Sequence, residues 1–154
     1  RGVPCLYYGT EILMKNLANP DGLVRSDFPG GWQDDPVNKF TAEGRTSKEN
    51  EAFNYIRSLA RWHSQNEYLK SGNLKMTQFI PVEGVYVYGR YNSEYAFLTF
   101  VNSNDKPYPT AFSRYEECLG NLKSGRNIIT NETVLKTAPL VLPPLSTTII
   151  EFKN

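Results

Sequence analysis

A single histidine, two cysteines and no apolar run of membrane-spanning length remove several familiar chemistries from this sequence at once. His63 stands on a helical stripe, no serine–histidine–acid arrangement is read around it, and a packed or capping role is expected for it. Cys5 and Cys118 show no metal-ligand spacing, and no disulfide between them is expected. Cys5 lies in an apolar run and reads as a small hydrophobe. There is no glycine-rich phosphate loop and no cluster of metal ligands, so neither a cofactor nor a metal is expected. An excess of either charge is also lacking. Lys and Arg number 17 against 16 Asp and Glu, a formal net charge of +1 spread along the chain. Nothing in that balance calls for nucleic acid or an anionic membrane as a partner.

What is present is a globular composition, 40% hydrophobic and 21% charged, with 13% aromatic residues. Aromatics at that level serve a β-rich core or stacking on sugars equally well. The 154 residues suffice for one ordinary domain, or for a small domain plus part of another. The chain opens without a methionine, and it reads as starting inside a longer protein.

Val3 to Tyr8 is a short, nearly continuous apolar run closed by Gly9 and Glu11. Such a run predicts a strand buried on both faces, as in a parallel sheet, with Gly9 turning the chain at its end. Tyr7 and Tyr8, as strand neighbours, would then point to opposite sides. A long polar passage follows, punctuated by Asn19-Pro20-Asp21-Gly22, Pro29-Gly30-Gly31 and Asp34-Asp35-Pro36. Phe28, Trp32 and Phe40 within it argue for an ordered binding loop over a solvated linker. Asp34 and Asp35, adjacent on a turn, read as solvated turn residues and not as a catalytic pair.

Thr46-Ser-Lys-Glu49 is a capping box, and it opens a helix that runs to about Ser71. Ala52, Phe53, Ile56, Leu59, Ala60 and His63 form its apolar stripe, and Tyr55 and Trp62 widen it. After Gly72 the period becomes alternating. Strands are expected at 74–79, 84–91, 94–101, 108–112, 126–130, 132–135, 140–142 and 146–152, with a tight hairpin turn at Asn92-Ser93. Short strands at near-regular spacing predict an antiparallel sandwich. The sequence therefore divides into 1–72, a strand–loop–helix unit, and 73–154, an all-β domain.

Gly2-x-Pro4-x-x-Tyr7-Tyr8-Gly9-x-Glu11 resembles the eighth-strand motif of the α-amylase superfamily of glycoside hydrolases, matching at six positions. In that family the eighth barrel strand leads through an irregular segment to the last barrel helix, and a small β domain, domain C, follows. The resemblance thus implies an α+β fragment: the last strand and helix of a (β/α)₈ barrel, then an antiparallel β-sandwich. It implies a parent enzyme that is a retaining glycosidase acting on α-1,4-glucosidic bonds of starch-derived glucans. The nucleophile, acid/base and third carboxylate of the family follow earlier barrel strands, so they are expected upstream of Arg1 and the chain alone should be inactive.

The same resemblance implies site residues. Neopullulanase and cyclomaltodextrinase-like members carry an aspartate and an arginine four apart that grip glucose hydroxyls, and Asp21-Gly-Leu-Val-Arg25 keeps that spacing. A carboxylate and a guanidinium together accept from and donate to vicinal hydroxyls. An exposed loop ion pair of little energetic weight is the plain alternative. Relatives that continue with a second arginine and a proline differ here. One of Tyr7 and Tyr8, with Tyr8 as the candidate, would face the substrate floor. Trp32 and Phe28 offer sugar-stacking faces or barrel-rim packing. The expected partners are α-glucan oligosaccharides in the parent enzyme. Residues 1–72, deprived of their barrel, would self-associate or fold back on the sandwich, and a strand left unpaired and exposed in a monomer would count against the barrel assignment. Starch fragments are met outside the cytosol, which favours a periplasmic or secreted setting. The alternative function is a non-catalytic carbohydrate-binding or packing sandwich.

Overall fold

The computed structural model describes residues 4–70 and 72–153, and it divides into two compact units, Arg1–Ala60 and Arg61–Asn154. That division falls inside a helix, twelve residues before Gly72.

In the first unit the capping box forms as its residue types dictate. The Thr46 N–H donates to Glu49 Oε2 (2.7 Å) and the Glu49 N–H to Thr46 Oγ1 (3.3 Å), which starts helix α1, Ser47–Gln65. Ala52, Phe53, Ile56 and Leu59 of its stripe are half-buried, Ala60 and His63 are exposed, and no α1 residue is fully buried. His63 is therefore not a packed histidine. Arg45 lies 3.8 Å above the Phe53 ring and ties the preceding loop to the helix. Its Nη1 donates to the carbonyls of Lys39 (2.9 Å) and Phe40 (3.2 Å), and its Nε to Asn50 Oδ1 (2.9 Å).

The strand expected at Val3–Tyr8 does not form. Residues 4–7 have no regular structure, 4–8 are exposed, and Val3 lies outside the described residues. A strand buried on both faces needs a paired neighbour at each edge, and the first unit offers none among its described residues. The turn at Gly9 does form, with φ +83°, and a Cβ there would lie 2.4 Å from Met14 Sδ, so no side chain fits. Without the pleat, Tyr7 and Tyr8 do not diverge; their rings lie 4.7 Å apart, tilted by 40°. Cys5 is exposed, not buried, for the same reason.

In the second unit the helical region breaks at Asn66. Asn66 Oδ1 and carbonyl both accept the Leu69 N–H, at 3.4 and 3.2 Å, and cap a separate turn of helix, α2, Glu67–Lys70. Lys70 Nζ returns to the Ser64 carbonyl at 2.7 Å.

The alternating pattern beyond residue 74 gives eight strands: β1 Lys75–Val82, β2 Val85–Tyr91, β3 Tyr95–Asn102, β4 Tyr108–Thr110, β5 Ser124–Asn127, β6 Thr133–Leu135, β7 Leu140–Leu142 and β8 Ser146–Lys153. All pairings are antiparallel, in a six-stranded sheet ordered β1-β2-β3-β8-β5-β6 and a two-stranded sheet β4-β7. The hairpin between β2 and β3 turns on Asn92, whose Oδ1 accepts the N–H groups of Glu94 (2.9 Å) and Tyr95 (2.8 Å). The run expected at 108–112 stops at Thr110. A 3₁₀ turn at Phe112–Tyr115 and a short helix, α3 Glu116–Leu119, replace its end.

One face of the large sheet builds the core. Val85 and Val87 of β2, Ala96, Leu98 and Phe100 of β3, and Ile150 and Phe152 of β8 point to it. Phe112, Tyr115, Cys118, Leu119, Leu122 and Leu142 close it from the other side. So the second layer is only partly sheet, and the short helices complete it. Rings meet edge to face there: Phe100–Tyr115 at 5.3 Å, Phe79–Tyr115 at 4.9 Å and Phe112–Phe152 at 5.2 Å. Each such pair contributes about 0.5–1.5 kcal/mol beyond area burial. Asn102, 1% exposed, fastens two loops by donating to the Pro143 carbonyl (2.8 Å) and the Lys106 carbonyl (3.0 Å).

Candidate functional site

The loop of the first unit is held by its own polar groups. Asp35 Oδ2 accepts the N–H groups of Gly30 (2.6 Å) and Trp32 (3.1 Å), so it orders a turn. Phe28 packs on Phe40 at 4.5 Å, which gives Phe28 a structural partner. Lys39 Nζ donates to Glu49 Oε2 at 2.5 Å and joins the loop to the capping box. Between the residue 7–16 segment and this loop lies a cavity of about 590 Å³, lined in part by Tyr7, Tyr8, Met14, Ser26, Asp27 and Lys39.

Of the four predicted site residues, the structure brings one to this cavity. Tyr8 lines it, and its hydroxyl donates to the Ser26 carbonyl at 3.0 Å. Partial desolvation first, then the neighbouring Tyr7 hydroxyl, hold the Tyr8 phenol above its ordinary pKa, so it stays a neutral donor. Asp21 and Arg25 sit on a 3₁₀ turn, Asp21–Arg25, and form an ion pair with each other. Both are largely exposed and neither lines the cavity. Trp32 is 67% exposed and lies outside the lining too, but its Nε1 donates to Asp27 Oδ2 at 3.2 Å. Asp27, which lines the cavity, is a residue that sequence reasoning missed. Its signal was weak, a lone acid five positions before a tryptophan.

A second polar assembly lies on the outer face of the large sheet. Glu151 of β8 is 9% exposed and accepts three hydrogen bonds: from Trp62 Nε1 (3.4 Å), Asn66 Nδ2 (3.1 Å) and Arg126 Nη2 (3.1 Å). A buried carboxylate is tolerated on those terms. Trp62 meets Phe97 edge on at 5.8 Å, and Tyr68 stacks on Tyr95 at 3.7 Å. Trp62, Asn66, Tyr68, Tyr95, Arg126 and Glu151 line a cleft of about 290 Å³. The sequence held one clue, an acid inside the apolar run Ile149-Ile150-Glu151-Phe152.

No helix among the described residues is long and apolar enough to cross a membrane. The fold has clear relatives. Over 99% of this chain it resembles the α-amylase of Geobacillus thermoleovorans, solved with acarbose, at 16% identity and a TM-score of 0.62, covering 30% of that chain. An Anoxybacillus α-amylase is similar over 96% of this chain and 28% of its own, at 15% identity and a TM-score of 0.59. A maltogenic α-amylase from Thermotoga neapolitana matches 69% of this chain and 26% of its own, at 19% identity and a TM-score of 0.50. The chain thus spans less than a third of the length of these structures, and at such identities the likeness is one of fold. In sequence, the family model of the cyclo-malto-dextrinase C-terminal domain matches residues 76–151, which run from β1 to β8. Residues 76–151, just under half of the chain, are thus similar to the cyclo-malto-dextrinase C-terminal domain.

Proposed function

We propose that this chain is the C-terminal part of a retaining glycoside hydrolase acting on α-1,4-glucosidic bonds of starch-derived glucans. The family match over residues 76–151 carries the proposal. In this reading residues 1–72 are the last βα unit of the catalytic barrel. The eighth-strand motif and a structural likeness that extends over 96–99% of the chain support it. Residues 4–8 stand exposed and unpaired, which counts against the barrel assignment of this segment; the assignment rests on the motif, with neighbouring barrel strands of the parent enzyme supplying both edges. The same unsatisfied surface, with Leu6, Tyr7, Leu13 and Leu17 exposed, would drive self-association of the isolated chain.

Glucan contacts are proposed for Asp21, Arg25, Tyr8 and Trp32, on the spacing of the first pair and the aromatic character of the others. The β domain acts as a packing module, since its core closes on itself. The test is an assay of reducing ends released from soluble starch, pullulan and cyclodextrin. The chain alone should release none, because the catalytic carboxylates lie upstream, and the parent enzyme should release them. Turnover by the chain alone that is abolished by a substitution within 1–154 would overturn the assignment.

A further inference from the structure

We propose that the cleft on the outer face of the six-stranded sheet is a second, non-catalytic binding site for one pyranose ring of a neutral oligosaccharide. Its size comes first. At about 290 Å³ it stands at the small end of ligand pockets, which run roughly 300–1,000 Å³, so it admits one ring and not an extended chain. Its charge comes second. Glu67 and Glu151 balance Arg126 and Lys153 in the lining, and Glu67 is itself paired with Lys70 at 2.6 Å. A balanced lining favours a neutral ligand over a phosphate or a carboxylate.

Its hydrogen-bonding capacity is the third and strongest point. An ionised carboxylate offers about four lone-pair positions. Glu151 uses three of them, on Trp62, Asn66 and Arg126, and the fourth remains for a hydroxyl from the cleft. Arg126, with five N–H donors, spends Nη2 on Glu151 and Nη1 on Asn131 (3.3 Å). Lys153 and Gln65, both exposed, add donors and an acceptor at the rim. A rim of mixed donors and acceptors beside the rings of Trp62 and Tyr95 matches a sugar's hydroxyls and its apolar C–H face. Three bonds to Glu151 fix the carboxylate before any ligand arrives, so little ordering remains to be done on binding.

The site stands independently of the loop contacts proposed above; only the choice of an α-glucan as probe rests on the proposed parent activity. The two tryptophans make the test clean. In a Trp32→Phe variant of the full chain, Trp62 is the sole indole. Titration with maltotriose should then change Trp62 emission saturably, and inorganic phosphate should not. Lys153→Ala with Gln65→Ala should weaken the apparent affinity about five- to tenfold without altering the fold, and Glu151→Gln should weaken it further. If Glu151→Gln fails to fold, the rim variants decide. Unchanged Trp62 emission at saturating maltotriose, affinity undiminished in the rim variants, or a response to phosphate in place of sugar would each overturn the proposal. Adding Asp21→Ala to Trp32→Phe separates the two sites: the Trp62 signal should persist, whatever becomes of the loop.

Discussion

Gly89 of β2 faces Cys118 of α3 so closely that a Cβ at position 89 would lie 2.5 Å from Cys118 Sγ and 3.1 Å from Leu98 Cδ2. The glycine is there because a helix must approach the sheet, and not because the backbone turns. Gly89→Ala should therefore destabilise the β domain by about 1–3 kcal/mol, the usual cost of overpacking a filled core. Urea unfolding of the variant would measure it. The double variant Gly89→Ala, Cys118→Ala should recover part of the loss, since the added methyl group then takes the space of the sulfur.

The two thiols should differ sharply in reactivity. Cys118 is 2% exposed, and desolvation first, then the Glu117 carboxylate, push its pKa up to about 12. Cys5 is exposed. At pH 8 a disulfide reagent should titrate one thiol in the folded chain and two in denaturant. Because the folded-state pKa is raised, the neutral thiol's contribution to stability is complete below the unfolded value of about 8.5 and declines as pH rises toward 12. A second thiol reacting in the native chain at the rate of the first would contradict the packing described.

Low pH should loosen the junction between loop and helix. Glu49 is held below the ordinary carboxylate pKa, first by Lys39 and then by the Thr46 backbone N–H. A depressed carboxylate contributes stability that is present above its unfolded pKa, about 4.3, and is lost as pH falls through the folded value. The urea midpoint of the wild-type chain should exceed that of Glu49→Gln at pH 7, and the gap should close by about pH 3. A gap that persists in acid would assign the effect to packing.

The clearest parts of the sequence were those whose reasons are local. Thr46 and Glu49 can satisfy each other across three residues, and they do. Val85 and Val87 alternate with Tyr86 and Tyr88, so β2 could be read without its neighbours. Where the reason is distant the reading failed. The run ending at Tyr8 has a strand's composition, but pairing partners are not encoded within it. The four-residue helix α3 sets Cys118 against Gly89 and buries Leu119 in the same core, and no periodicity could announce it. At the candidate site Tyr7 and Tyr8 line one cavity together, whereas Asp27 and Glu151 owe their roles to partners reached only after folding.

The pair Asp21–Arg25 allows binding to be separated from stability. Both side chains are more than half exposed, so water screens their attraction and their contribution to folding is small. Asp21→Ala and Arg25→Ala should each leave the urea midpoint of the chain within about 0.5 kcal/mol of wild type, as surface substitutions usually do. In the intact enzyme a sugar hydroxyl would replace water on the remaining hydrogen-bonding positions of the pair. Either substitution should then weaken binding of longer maltooligosaccharides by about 1–3 kcal/mol, which is roughly a five- to 150-fold rise in the dissociation constant. The two effects should not add in the double variant, because each residue also holds the other in place. Unaltered kinetics on maltooligosaccharides in both single variants would leave the pair as a surface ion pair and move the sugar contacts elsewhere in the loop.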